Sequence, residues 1–180
     1  MTKSHKLAKG LVQVYTGNGK GKTTASLGLV FRALGHGLRI HVMQFMKGQT
    51  VYGELESAKL FTDRLTIEQV GLPGFVKAGK QTEVDREMAQ TAFARAQIMV
   101  LSGEYDLIVL DELNCAVDFG LVDVADVKEL IRTKPMHTEL VITGRNAHAE
   151  VVEMADLVTE MREIKHYFNS GQAARVGIES

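Results

Sequence analysis

Leu11-Val-Gln-Val-Tyr15 runs directly into Thr16-Gly-Asn-Gly-Lys-Gly-Lys-Thr-Thr24. The first five residues predict a short buried strand. Leu27, Val30, Phe31 and Leu34 then fall on one face at helical spacing, which predicts a helix from 24 to about 35, stopped by Gly35 and Gly37. Between strand and helix, Gly17, Gly19 and Gly21 let the backbone curl so that successive N–H groups point inward. A helix beginning near Lys22 adds the positive end of its dipole. Gly21-Lys22-Thr23 is the core of a Walker A loop: Lys22 brings a full charge to phosphate oxygens, and Thr23 brings a hydroxyl to Mg²⁺. The first glycine of the general pattern would stand at position 16, which is Thr16; Gly17 follows instead.

Outward from this loop, apolar strands alternate with helical patterns. Strands are expected at 39–45, 65–70, 107–110, 140–143 and 157–161. Helices are expected at 83–101, around Val124 to Ile131 up to Pro135, and around Val151 to Met154. Such alternation predicts an α/β parallel sheet covered on both faces, a three-layer sandwich whose ligands sit beyond the carboxyl ends of the strands. Asp111 and Glu112 follow one apolar run, as the carboxylate of a Walker B segment does, where it holds Mg²⁺ or its waters. Thr143-Gly-Arg145 ends another strand; Arg145 is either a planar clamp on phosphate or a surface arginine.

The 180 residues suit one domain spanning 1–180, with 1–9 as a flexible N-terminal arm carrying Lys3, His5, Lys6 and Lys9. The net charge of −1 argues against a nucleic-acid or anionic-membrane partner, because both demand a basic excess. Cys115 is the only cysteine, so no intramolecular disulfide forms, and a reducing cytoplasm is the expected location. Cys115 has no base at a known spacing and reads as a small buried thiol. The six histidines show no metal-ligand spacing.

A longer set of runs carries a resemblance. They are Thr16 to Thr24, Arg32-Ala-Leu-Gly-His-Gly37, Gln44-Phe-Met-Lys-Gly48 with Gly53-Glu54, Gly74-Phe75, Leu110-Asp-Glu-Leu-Asn114 with Gly120, Ile142-Thr-Gly-Arg-Asn-Ala147, Ala155-Asp-Leu-Val-Thr-Glu-Met161, Lys165-His166, and Gly177-Ile-Glu179. Together they resemble the P-loop type of ATP:corrinoid (ATP:cob(I)alamin) adenosyltransferases, from about residue 10 onward. The resemblance implies a RecA-like P-loop NTPase fold, a homodimer, and transfer of the 5′-deoxyadenosyl group of ATP to a Co(I) corrinoid with release of intact triphosphate. It also implies Mg²⁺ as cofactor and a reductase or flavoprotein as electron donor. It makes Gly17, Asn18, Gly19, Lys20, Gly21, Lys22, Thr23 and Thr24 the triphosphate cradle. Thr23 and Glu112 become the Mg²⁺ ligands, Lys22, Thr23 and Glu112 the catalytic set, and Arg32 and Arg145 further ATP contacts. Phe75 becomes a corrinoid-facing residue.

The chain departs from the family where Gly74-Phe75-Val76-Lys77 stands for Gly-Phe-Thr-Trp, where Tyr167 replaces a proline, and where Ala173-Ala-Arg175 replaces Lys-Ala-Gln. Two other function classes fit a Walker A loop: a RecA-like hydrolytic ATPase, and a non-catalytic nucleotide or corrinoid carrier.

Overall fold

The computed structural model describes residues 7–48, 52–71 and 81–179. Six strands, β1 (Val12–Thr16), β2 (Ile40–Phe45), β3 (Leu65–Val70), β4 (Leu107–Asp111), β5 (Glu139–Thr143) and β6 (Leu157–Glu160), form one sheet in the order β3-β2-β4-β5-β1-β6. Every pairing is parallel, with Ile40 opposite both Leu65 and Leu107, and Val14 opposite both Ile142 and Val158. Parallel neighbours require crossovers. These contain α1 (Lys22–Gly35), α2 (Gly53–Ala58), α3 (Glu83–Ser102), α4 (Leu113–Asp118), α5 (Val124–Thr133) and α6 (Ala149–Met154).

Side chains alternate across each strand, so the central strands feed two separate cores. Met43, Phe45, Ile108, Leu110, Leu140 and Ile142 pack on one face against Ala92, Phe93 and Ala96 of α3 and Val127 and Leu130 of α5. Ile40, Val42, Leu107, Val109 and Val141 pack on the other face against Val30 and Ala33 of α1. Layers of helix, sheet and helix result, as the continuous apolar runs predicted.

Local chemistry sets the helix ends. Thr82 and Asp85 form a reciprocal capping box at the start of α3, and Gly103 ends it at φ 64°. The Asp123 carboxylate accepts from Ala125 N at the start of α5, and that helix stops before Pro135. Two six-residue helices, α2 and α4, were not expected.

Of the N-terminal arm, only Leu7, Ala8 and Lys9 are described. Leu7 packs against the α1 side of the sheet, because a leucine there covers apolar surface next to Leu29 and Leu38; residues 1–6 lie outside the described ones. Phe75 and the rest of 72–80 also lie outside them. Among the described residues, no helix is long and apolar enough to cross a membrane.

Candidate functional site

The loop between β1 and α1 closes around Lys22. Its Nζ donates to the carbonyls of Gly17 (2.7 Å) and Gly19 (2.9 Å), and the side chain is buried. Burial pulls its pKa below the ordinary lysine value, against the opposing pull of Glu112. Gly17 (φ 93°) and Gly21 (φ 117°) hold left-handed backbone that disfavours side chains. A Cβ on Gly17 would stand 2.5 Å from Met161 O, and one on Gly19 2.8 Å from the same atom. Gly19 N donates to Met161 O at 2.7 Å, so the loop lies flat on the end of β6. The odd Thr16 is explained here. It is the last residue of β1; its carbonyl accepts from Met161 N (2.8 Å) and its Oγ1 accepts from Ala147 N (3.2 Å). A glycine at 16 would lose the second bond.

Asp111, at the end of β4, is fully buried and gathers four donors from three segments. Its Oδ1 accepts from Thr23 Oγ1 (3.0 Å) and Thr143 Oγ1 (2.7 Å). Its Oδ2 accepts from Lys47 Nζ (2.8 Å) and, at 3.4 Å, from Gln44 Nε2. Lys47 stays above the ordinary lysine pKa: burial alone would lower it, but Asp111, Glu54 and Glu112 outweigh that. Glu112 follows at φ 64°, which turns it away from its neighbour, and its N donates to Thr143 Oγ1 at 3.0 Å. Cys115 Sγ donates to Glu112 Oε2 (2.9 Å) and accepts from Arg145 N (3.2 Å). Burial, followed by the charge of Glu112, pushes this thiol up to about 12, so it remains protonated and unreactive at neutral pH.

Lys22, Thr23, Lys47 and Glu112 border a cleft of 780 Å³ that runs over the N-terminus of α1, with Asp111 buried beneath it. Asn18 to Thr24 form one wall, and Lys47, Glu54, Glu112 and Arg145 another. The third wall is the C-terminal segment: His166 and residues 177–179. That segment is held by Glu179. Arg175 donates to its carboxylate through Nη2 (3.1 Å), Nε (3.3 Å) and backbone N (2.8 Å), and Tyr167 OH donates as well. The Arg175 guanidinium also sits 5.0 Å over the Tyr167 ring. Arg175 first, then Tyr167, hold the Glu179 carboxyl down to about 2.

The expected residues divide accordingly. Asn18, Gly19, Lys20, Gly21, Lys22, Thr23, Thr24, Glu112 and Arg145 line one cleft, and Gly17 supports it through its carbonyl. Arg32 does not share it: ten residues further along α1 than Lys22, it borders a separate 590 Å³ cavity with Leu7, Leu38 and Leu107, at the opposite ends of the strands. Among the described residues, Thr23 meets Asp111, not Glu112. The sequence reading gave no role to Lys47, Gln44, Thr143 or the 177–179 turn. Position beyond a strand end and the Gln44–Gly48 run were the available clues for Lys47; the turn was present only as the Gly177-Ile-Glu179 run, with no role attached.

Residues 8–180 match the family described as ATP:corrinoid adenosyltransferase BtuR/CobO/CobP. A corrinoid adenosyltransferase of Sinorhizobium sp is 41% identical over 173 residues, covering 95% of this chain and 80% of that one. Those of Escherichia coli (strain K12) and Salmonella typhimurium are each 35% identical over 171 residues, covering 95% of this chain and 86% of theirs. Among solved structures, the flagellar accessory protein FlaH of Methanocaldococcus jannaschii superposes with a TM-score of 0.60, over 86% of this chain and 72% of that one. At 12% identity the likeness speaks for the fold alone.

Proposed function

This chain belongs to the ATP:corrinoid adenosyltransferases and is an enzyme, and we propose that it transfers the 5′-deoxyadenosyl group of ATP to a Co(I) corrinoid and releases triphosphate intact. The corrinoid substrate brings the nucleophilic electron pair. A cobalt–carbon bond forms at C5′, the C5′–O5′ bond breaks, and its electrons leave on the triphosphate. The protein then needs no nucleophile of its own, in keeping with a Cys115 thiol held protonated.

The chain's tasks are alignment and charge stabilisation. Lys22 and the N–H groups of 18–24 take up charge on the departing triphosphate, and Arg145 adds a forked donor from the opposite wall. The oxygens of Thr23, Glu112 and Asp111 suit Mg²⁺, a hard cation satisfied by one or two carboxylates plus phosphates and water. Thr23 and Glu112 would hold it, and when bound it would neutralise part of the triphosphate charge. Phe75 is proposed to face the corrinoid. Arg145 is the arginine we assign to the nucleotide, since Arg32 borders the other cavity.

A homodimer is in keeping with the exposed Ile164, Phe168 and Val176. A cytoplasmic setting, with Co(I) delivered through a reductase or flavoprotein, is in keeping with the single unpaired cysteine. The observation that carries the reading is one cleft joining a Walker loop to Glu112 at the end of β4 and Arg145 beyond β5. The test incubates the protein with Mg-ATP and chemically reduced cobalamin, and follows the visible spectrum for a light-sensitive adenosylated product. Triphosphate must accumulate in equal amount. Orthophosphate without a cobalt–carbon bond would make the protein a hydrolytic ATPase and end the proposal.

A further inference from the structure

We propose that Lys47 is a second triphosphate contact, reaching the polyphosphate from the wall opposite Lys22; this rests on the nucleotide reading above. Lys47 stands two residues beyond β2, after Met46 at φ 57°. Gly71, at the end of β3, allows the approach that fixes this turn: a Cβ there would meet Met46 Cα at 3.0 Å and Lys47 N at 3.1 Å. The lysine is thereby aimed along the sheet edge into the cleft that Lys22 and Thr23 line.

Its pairing with Asp111 does not account for it. The pair is largely dehydrated, at 17% side-chain exposure for Lys47 and 0% for Asp111, and a buried pair is a poor source of stability. Asp111 already receives two hydroxyls and, at 3.4 Å, an amide. An ammonium has three donors, and Asp111 takes one of them. The Tyr52 ring, 5.2 Å away, covers another side. The remaining side borders the cleft. Three carboxylates nearby, those of Asp111, Glu54 and Glu112, favour its charged form. A charged, dehydrated ammonium at the wall of a cleft already holding Lys22 suits a polyanion with closely spaced oxygens, which is the triphosphate arm of a nucleotide. The reach of Lys47 toward Asp111 sets its position before the nucleotide arrives, so little side-chain freedom remains to be lost on binding.

The probe is inorganic tripolyphosphate, titrated calorimetrically into the full chain in EDTA so that no metal contributes. Lys47→Met is expected to weaken binding about 10- to 150-fold, the range for one hydrogen bond to a charged group. Because Lys47→Met strands the Asp111 charge and threatens folding, Lys47→Met/Asp111→Asn is titrated beside it, with thermal unfolding recorded for both. The double variant should be folded and bind as weakly. Wild-type affinity in either folded variant overturns the assignment and leaves Lys47 as a counter-ion to Asp111, with the nucleotide reading intact. Failure of the wild-type chain itself to bind tripolyphosphate removes that reading, and this proposal with it.

Discussion

His41 makes the fold sensitive to acid. It lies in β2 with 0% exposure, beside the Tyr105 ring (5.3 Å between centroids), and among the described residues neither ring nitrogen has a hydrogen-bond partner. Burial first, and the positive charge of Arg95 second, lower its pKa from 6.5 to about 4. The unfolded chain therefore binds a proton between pH 6.5 and 4 that the folded chain refuses. Stability from this residue is complete above pH 6.5 and is lost as pH falls toward 4. With those two values the linkage relation gives a loss of roughly 2 kcal/mol at pH 5 compared with neutral pH. For a chain of this length that is a fall in Tm of roughly 5 °C. His41→Leu, close in volume and without a titrating group, should remove this part of the acid response. The assay is urea unfolding of both proteins from pH 7.5 to 4.5. The difference between their stabilities should change by roughly 2.5 kcal/mol, nearly all of it below pH 7. Parallel curves over that range would refute the reasoning, and would mean that His41 finds a partner or water in the folded protein.

Three further outcomes concern the cleft. Lys22→Ala should lower kcat on the order of a hundredfold or more, as loss of one preorganised donor does, with KM for the corrinoid little changed; steady-state kinetics with reduced cobalamin measures both. Gly17→Ala places a methyl 2.5 Å from Met161 O on backbone at φ 93°, so urea unfolding should show a loss of roughly 1–3 kcal/mol and nucleotide binding should weaken with it. Glu179→Gln breaks the charged fork with Arg175 that seats the 177–179 wall; KM for ATP should rise while Tm moves little, because Arg175 and Tyr167 lie at the exposed end of the chain.

The strands were legible because they are continuously apolar, and continuity over four or five residues is what a doubly covered parallel strand requires: Leu107 to Leu110 is buried at every position. The expected limits of β3 and of α3 differ from the observed ones by at most one residue, since Gly71 and Gly103 mark both with left-handed glycines. The Walker loop was legible for the same reason, as its glycines have a backbone purpose. What escaped were relations between distant segments. Nothing near Asp111 in sequence announces that Thr23, Lys47 and Thr143 converge on it. Asp111 and Glu112 are adjacent and alike in composition; the positive φ at Glu112 separates a buried hub from a cleft-lining carboxylate. Tyr167 and Arg175 were visible only as departures from a family pattern, yet they meet each other and share Glu179.

The glycines at the strand ends have a common consequence. Gly17 and Gly19 let the β1 loop rest on Met161 after β6; Gly144 lets the β5 loop rest on Asn114 and Cys115 of α4; Gly71 lets β3 rest on Met46 and Lys47 after β2. In each case an added Cβ would meet backbone or Cβ atoms at 3.0 Å or less, so the loops are in contact by their main chains and not through adjustable side chains. Main-chain contacts between the ends of parallel strands fix the walls relative to one another to within the stiffness of the sheet. A reaction whose nucleophile belongs to the substrate draws its acceleration from alignment, where a displacement of about 1 Å is worth about a hundredfold in rate. Under the proposed reaction, the glycines at these strand ends would act as positioning residues, holding the cleft walls in register without touching a reacting atom. Replacing Gly144 with alanine, which would push Cβ to 3.0 Å from Cys115 N at φ 129°, should displace Arg145 and Glu112 together and cost more in kcat than in substrate binding.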